Sequence, residues 1–382
     1  MTAGRPTVAR IDLAALRANL ASVRAMAPGQ ALIAVVKADG YGHGGPCVAR
    51  ALAEAGAEML AVLTLDEARP LREAGVELPI LLLAGVHDAE EAAEALALAA
   101  TPVVHHAGGL ERVARAAAAA GRRAPVHVEI DTGMRRMGVA PSDAVALVAA
   151  VAEAPALELA GVFTHLARAD EPELGPSREQ LALFGRLLAE LRAQGIEPGC
   201  VHAAASAGLY AWPKLADVAP QTDAVRPGIF LYGSNPVGHA ELSLQPVMTF
   251  TTRVVQLHEV APGDHVGYGG LWRATARGRI ATLASGYADG VPRCLAEPGR
   301  PTAWVAIGHR RFPLAGRVSM DYLTVDLGAD ANDVSLGDDA VLFGRTPSGE
   351  TLSVDDLAAA AGTVGYELLV RVGGRVPRVV DG

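Results

Sequence analysis

Leu32-Ile33-Ala34-Val35-Val36-Lys37-Ala38-Asp39-Gly40-Tyr41-Gly42-His43-Gly44 sets five apolar residues directly before a lysine, and a glycine-rich loop directly after it. A short apolar run closed by Gly reads as a buried strand. Lysine is scarce around it: of 33 Lys and Arg residues, only Lys37 and Lys214 are lysine. A lysine kept at a strand end in so arginine-rich a chain points to chemistry that arginine does not do. Arginine stays protonated, whereas a desolvated lysine lowers its pKa and forms Schiff bases. The plain structural reading is a lysine that follows a buried strand and snorkels to water.

Working outward, Asp12 is placed to cap a helix carrying Leu16, Leu20 and Val23 on one face. Beyond Lys37, apolar strand candidates recur at 59–63, 80–83, 102–104, 126–130, 159–164, 200–204 and 222–226. Helical stretches at 88–99, 110–120, 142–152 and 178–193 separate many of them. Strands alternating with helices imply parallel pairing. Eight such units within residues 11–235 predict an α/β fold that is a (β/α)8 TIM barrel. An open doubly wound sheet would carry a glycine fingerprint after its first strand, and Lys37-Ala38-Asp39-Gly40 is not one. From residue 236 to 382 the texture turns to short Val- and Thr-rich segments, at 247–260, 280–284, 304–307, 323–327 and 340–343, with one helix expected at 354–361. This predicts a second, predominantly β domain.

In a barrel, functional side chains gather at the C-terminal strand ends. Those ends hold Lys37 and Tyr41, then Glu129, Asp131 and Arg136, then His165, His202, Ser206 and Arg226 with Gly228 and Ile229. Singly each has a plain reading: Ser206 as a helix N-cap, His165 as a satisfied core histidine, Arg226 as a strand-end charge. Together with Lys37 they describe a polar pocket on an apolar barrel.

A net charge of -9 and a pI near 5.7 argue against nucleic-acid binding and against a polybasic membrane anchor. Three dispersed cysteines, Cys47, Cys200 and Cys294, give neither a disulfide framework nor zinc spacing, so no metal is expected. With no secretory pattern at the N-terminus and no apolar run of membrane-spanning length, the expectation is a soluble cytoplasmic protein.

The lysine stretch resembles the pyridoxal-phosphate attachment site of alanine racemases. The resemblance continues, in order, through Asp131-Thr132-Gly133-Met134 with Arg136-Met137-Gly138, Thr164-His165-Leu166-Ala167, Val225-Arg226-Pro227-Gly228-Ile229 and Gly286-Tyr287-Ala288-Asp289-Gly290. It covers nearly the whole chain, and it implies that the extreme N-terminal strand, near residues 5–10, joins the second domain. Carried over residue by residue, it implies pyridoxal 5'-phosphate held by Lys37 and a two-base racemisation of alanine. Lys37 serves one face of the substrate Cα and Tyr268 the other. Arg226 meets the pyridine nitrogen. Tyr41, Ser206, Gly228, Ile229 and Tyr366 hold the phosphate. Arg136 and the Met320 N–H meet the substrate carboxylate. Tyr287 and Tyr366 narrow the entry, His165 orients Tyr268 and Arg226, and Asp321 follows Met320 in a supporting place. A homodimer with shared sites is implied, with D-alanine supplied for peptidoglycan.

The chain departs from the family pattern at Glu129, where many members carry a carbamylated lysine, and at Arg135, Ala205, Gly267 and Ser319. These departures bear on carboxylate binding and on specificity for alanine. A racemase of serine or another small amino acid is the alternative. A basic-amino-acid decarboxylase of the same architecture is opposed by Ser319 and Arg226, and a non-catalytic cofactor carrier by the second domain with Tyr268. Glu129 stands two residues before Asp131, which would point both to one side of a strand and let Glu129 orient Arg136 by a charge-assisted hydrogen bond.

Overall fold

The computed structural model describes residues 6–238 and 241–381. Eight parallel strands close into a barrel: Ala31–Val35, Met59–Val62, Ile80–Leu82, Ala100–Val104, Ala124–Glu129, Leu157–Phe163, Cys200–Ala205 and Ala224–Arg226. Closure comes from the first and last, with Ala31 opposite Ala224 and Leu32 opposite Val225. Most strand residues are buried on both faces, which is why the strands read as apolar runs rather than alternations.

Helices wrap the outside, and the first, Leu13–Met26, is capped by Asp12, whose carboxylate accepts from the Ala15 N–H at 2.9 Å. Three barrel helices are not evident from sequence pattern alone: Gly45–Glu54, Leu65–Glu73 and Ser206–Leu215. Each contains a proline, Pro46, Pro70 or Pro213. Pro46 lies in the first turn, where no N–H is needed, and Pro70 and Pro213 sit in short helices whose apolar faces pack on the barrel.

The second domain is built on the long strand Met248–Val260, which pairs antiparallel with Gly278–Leu283 and Asp339–Arg345. The N-terminal strand is Val8–Asp12, starting three residues and ending two residues later than expected, and residue 5 lies outside the described residues. It pairs antiparallel with Met248–Val260 and parallel with Arg378–Asp381, so it belongs to the second sheet. The expected helix Val354–Ala361 forms, and a second one, Gly365–Arg371, follows it. At seven residues it is too short to show a helical period, and Gly365 reads as a break.

The domains meet through specific polar contacts. Arg378 donates to Gly42 O at 3.0 Å, and Asn19 donates to Gln245 O at 2.7 Å. Among the described residues no helix is long and apolar enough to cross a membrane.

Candidate active site

The first strand stops at Val35, and Lys37 opens a turn of unusual hand. Ala38, Asp39, Gly40 and Tyr41 take φ of 52°, 54°, 61° and 53°. For the residues that carry a Cβ this costs roughly 1–2 kcal/mol each. Interlocking bonds hold the turn: Gly40 N–H to Val36 O at 2.9 Å and Gly42 N–H to Ala38 O at 2.8 Å. The buried His43 adds Nδ1 contacts of 3.0 and 2.9 Å to Gly40 O and Tyr41 O. Gly42 is required here, since a Cβ would stand 2.3 Å from Leu369 O. Lys37 itself is half-buried. Burial, and then Arg136, lower its pKa, against a raising effect of Glu67.

The turn carries Tyr41 to the far side of the pocket. Its ring stacks on Tyr232 at 4.6 Å and tilts toward Tyr366 at 6.1 Å. Its hydroxyl occupies the space over Gly228, where a Cβ would approach it to 2.5 Å. Ser206 Oγ accepts from the N–H groups of Gly228 and Phe230 at 3.0 and 3.4 Å. Ser206 is the first residue of its helix and not its cap, which is Ala205. Ile229 opens the 3-10 turn Ile229–Tyr232 beside it. Burial pushes the Tyr41 and Tyr366 phenols well up, so both remain hydrogen-bond donors at neutral pH.

Arg226, 3% exposed, ends the barrel strand that pairs with the one preceding Lys37. Its Nη2 donates to Thr164 O at 2.7 Å and Ala203 O at 3.2 Å, with His165 Nδ1 at 3.4 Å. Nη1 meets His202 Nδ1 at 2.5 Å, and His202 Nε2 meets His127 Nδ1 at 2.9 Å. A guanidinium only donates, so His202 must accept on Nδ1, carry its proton on Nε2 and pass it toward His127. Burial first, and then Arg226, hold His127 down to about 4 and His165 to about 3, so both are neutral donors and acceptors. Burial also lowers Arg226 to about 10, which leaves it charged at neutral pH. Its Nε–H makes no hydrogen bond among the described residues.

Pairing runs on past Glu129 through the Ile130–Val139 bridge, which keeps Glu129 and Asp131 on one side, but among the described residues neither bonds to Arg136. Asp131 instead takes the N–H groups of Gly133 and Arg135 at 2.9 and 3.0 Å, which shapes the loop that presents Arg136 to solvent. Glu129 Oε2 faces His105 Nδ1 at 3.3 Å, while Arg226 and Arg136 act on the carboxyl through space. Gln180 ties the pocket wall together, donating to Thr132 and His165 O and accepting from the Ala167 N–H. A lone glutamine inside an amphipathic helix gives no sequence signal for such a role, and neither do His105 and His127.

In the second domain Tyr287 lies beside the Ser319–Met320 backbone, and Tyr268 lines a cleft with Ser319. Tyr287 N–H donates to Ser319 O and Ala288 N–H to Met320 O, both at 3.0 Å. Arg375 bridges Asp289 and Asp321 at 2.7 and 2.8 Å and so fixes this loop. Tyr268 is 69% exposed and Met320 53%. Among the described residues, no hydrogen bond or ring contact joins Tyr268, Tyr287 or Met320 to Lys37, Arg136 or Arg226.

The alanine racemase N-terminal domain family matches residues 11–236, and the alanine racemase C-terminal domain family matches residues 247–380. The chain belongs to the alanine racemase family. Alanine racemases are isomerases, and two related ones align end to end. That of Thioalkalivibrio sulfidiphilus is 44% identical, over 97% of this chain and 98% of its own. That of Sorangium cellulosum is 39% identical, over 98% of both. Among solved structures, alanine racemase from D-cycloserine-producing Streptomyces lavendulae superposes with a TM-score of 0.90 at 37% identity, covering 100% of this chain and 98% of that one. The biosynthetic alanine racemase of Pseudomonas aeruginosa gives 0.87 at 38% identity, covering 99% and 100%. The barrel followed by a mostly β domain is therefore the racemase architecture.

Proposed function

We propose that this chain interconverts L- and D-alanine on pyridoxal 5'-phosphate, as a cytoplasmic homodimer that supplies D-alanine for peptidoglycan. The observation that carries this reading is the alignment, on one barrel mouth, of a desolvated Lys37, a buried Arg226 and the Tyr41–Gly228–Ser206 cradle. Pyridoxal 5'-phosphate, with an aldehyde, a phosphate arm and a ring nitrogen, would find a partner for each of these groups among those residues. The phosphate suits the side-chain hydroxyls and backbone of the cradle, which has no room for a Cβ at residue 228. The ring nitrogen suits the Nε–H that Arg226 keeps free of other partners. The aldehyde suits Lys37.

When bound, the cofactor supplies a carbonyl for the amine and a conjugated ring that accepts electron density from the substrate Cα. Arg226 holds a donor against the ring nitrogen and keeps it unprotonated, which moderates that acceptance. His202 and His127 keep the guanidinium in register by fixing each other's tautomers. Lys37 Nζ holds the proton on one face. Arg136 binds the substrate carboxylate from its exposed loop, with the Met320 N–H.

The opposite face needs a second base, and Tyr268 stands exposed in the second domain. A second copy of the chain, set with its Tyr268, Tyr287 and Met320 over the barrel mouth, completes the pocket. The phenol then stands on the face of the substrate opposite Lys37, where the second proton is exchanged.

Incubation of the purified chain with L-alanine should abolish optical rotation, with L-serine and L-lysine as controls. Absence of turnover with L-alanine, or faster turnover with L-serine, would overturn the assignment.

A further inference from the structure

We propose that Glu67 is a positioning residue for Lys37: its carboxylate pins the left-handed turn that follows the lysine, and so sets where the amine stands and how readily it gives up its proton. This rests on Lys37 being the cofactor lysine.

Glu67 lies in the first turn of the helix Leu65–Glu73, which follows the second barrel strand. Its two carboxylate oxygens are divided between two chain segments. Oε1 accepts from the Ala38 N–H at 2.7 Å, and Oε2 accepts from the Leu63 N–H at 2.6 Å. These strands are already paired, ending with Val35 opposite Ala61 and Val36 N–H on Ala61 O at 2.9 Å. Glu67 continues that join past the point where the ladder stops, using a side chain in place of a carbonyl.

The place of this contact matters because of the conformation it holds. Ala38 begins five successive residues of positive φ, 38 to 42. An ordinary right-handed turn would be the lower-energy choice for Ala38, Asp39 and Tyr41, and it would carry both Lys37 and Tyr41 elsewhere. The turn's own hydrogen bonds use the N–H groups of Gly40, Gly42, His43 and Gly44. The Ala38 N–H, next to Lys37, is held by Glu67. His43 fastens the other end through Gly40 O and Tyr41 O. One carboxylate and one imidazole thus hold a strained segment from its two ends, with the amine at one and the cradle hydroxyl at the other.

The charge of Glu67 acts on Lys37 as well. Burial and Arg136 favour the neutral amine, and Glu67 opposes them. A glutamine at 67 keeps the shape but accepts only one N–H and turns its NH2 toward the other. It also removes the opposing charge.

Because the chain has only two lysines, the test is direct. The full-length chain, freed of cofactor, is reductively methylated across a pH series. Mass spectrometry then follows the Lys37 and Lys214 peptides separately, with Lys214 as internal control. In Glu67→Gln the labelling midpoint of Lys37 should fall by about half a pH unit to one unit, the size of one lost charge at a partly solvated site. Lys214 should not change. Loaded Glu67→Gln and Glu67→Ala proteins should release pyridoxal phosphate faster than wild type. A wild-type midpoint for Lys37 in Glu67→Gln would overturn the proposal, and so would wild-type cofactor release. If Glu67→Ala fails to fold, Glu67→Gln decides alone. Failure of wild-type protein to take up the cofactor at Lys37 would refute the racemase reading instead, and the labelling midpoint reports on Glu67 in either case.

Discussion

His105 Nδ1 stands 3.3 Å from Glu129 Oε2, and both side chains are buried. His105 Nε2 faces Leu83 O at 3.0 Å, and a carbonyl can only accept. The imidazole proton therefore sits on Nε2, leaving Nδ1 bare toward the carboxyl. Two bare acceptors at that distance repel, so the pair is most stable with one proton between them. Burial drives both partners toward that neutral pair: it lowers His105 to about 4 and raises Glu129.

The stability consequence has a definite sign. Burial is the largest influence on Glu129 and raises its pKa above the ordinary 4.5, ahead of the lowering by Arg226 and Arg136. A raised folded-state pKa gives stability that is complete at acid pH and is lost as pH climbs through the raised value. Glu129→Gln lacks this term. Its melting temperature should gain on wild type as pH rises from about 4 toward neutrality, then run parallel. Parallel curves throughout would mean that the carboxyl titrates as it does in the unfolded chain. At neutral pH the same substitution should raise KM for alanine. Activity in degassed buffer should equal that with added bicarbonate, and Glu129→Lys should work only when bicarbonate is supplied.

Tyr268→Phe should cost on the order of 10²–10⁴ in kcat, the range for loss of an acid–base group. The ring is exposed and its hydroxyl bonds to no described residue, so melting temperature and cofactor content should stay at wild-type values. Near wild-type racemisation would assign the second proton transfer to another group.

Borohydride reduction of the loaded protein should fix the cofactor to the peptide containing Lys37. Lys214 lies in the last turn of the helix Ser206–Leu215 on the barrel's outer layer, and label there would refute the assignment of Lys37.

Gly228→Ala should weaken cofactor retention by about tenfold or more, because the new methyl would meet the Tyr41 hydroxyl at 2.5 Å. Tyr41→Phe removes that hydroxyl. The double variant should therefore lose less than the two single losses combined, which equilibrium dialysis with pyridoxal phosphate can measure. Additive losses would place Tyr41 and Gly228 in separate roles.

Much of the barrel was legible because buried parallel strands must be apolar runs, and the polar residues that close them stand out against that background. Arg226, His165 and Ser206 could be found in this way. What was hidden was geometry made by single residues. Ala38, Asp39 and Tyr41 carry no composition signal for left-handed backbone, although Gly40, Gly42 and Gly44 mark the loop as irregular. Glu67 looks like any acidic residue in a first helical turn. The spacing of Glu129 and Asp131 gave no sign that the neighbour of Glu129 would be His105, which arrives from a different strand end. Helices containing Pro70 and Pro213 were hidden because local propensity argued against what tertiary packing enforces.

The strand Val8–Asp12 lies in the second sheet, between partners at residues 248–251 and 378–381. During synthesis it leaves the ribosome before any barrel strand, yet the segments that hydrogen-bond to it are made some 240 and 370 residues later. The barrel has all its own strands by Arg226 and can close while the first strand waits unpaired. The second sheet, by contrast, can be completed only after Arg378–Asp381 has been made. Translation stalled shortly before that point would leave Val8–Asp12 paired with residues 248–251 alone, its other edge bare and open to edge-to-edge association.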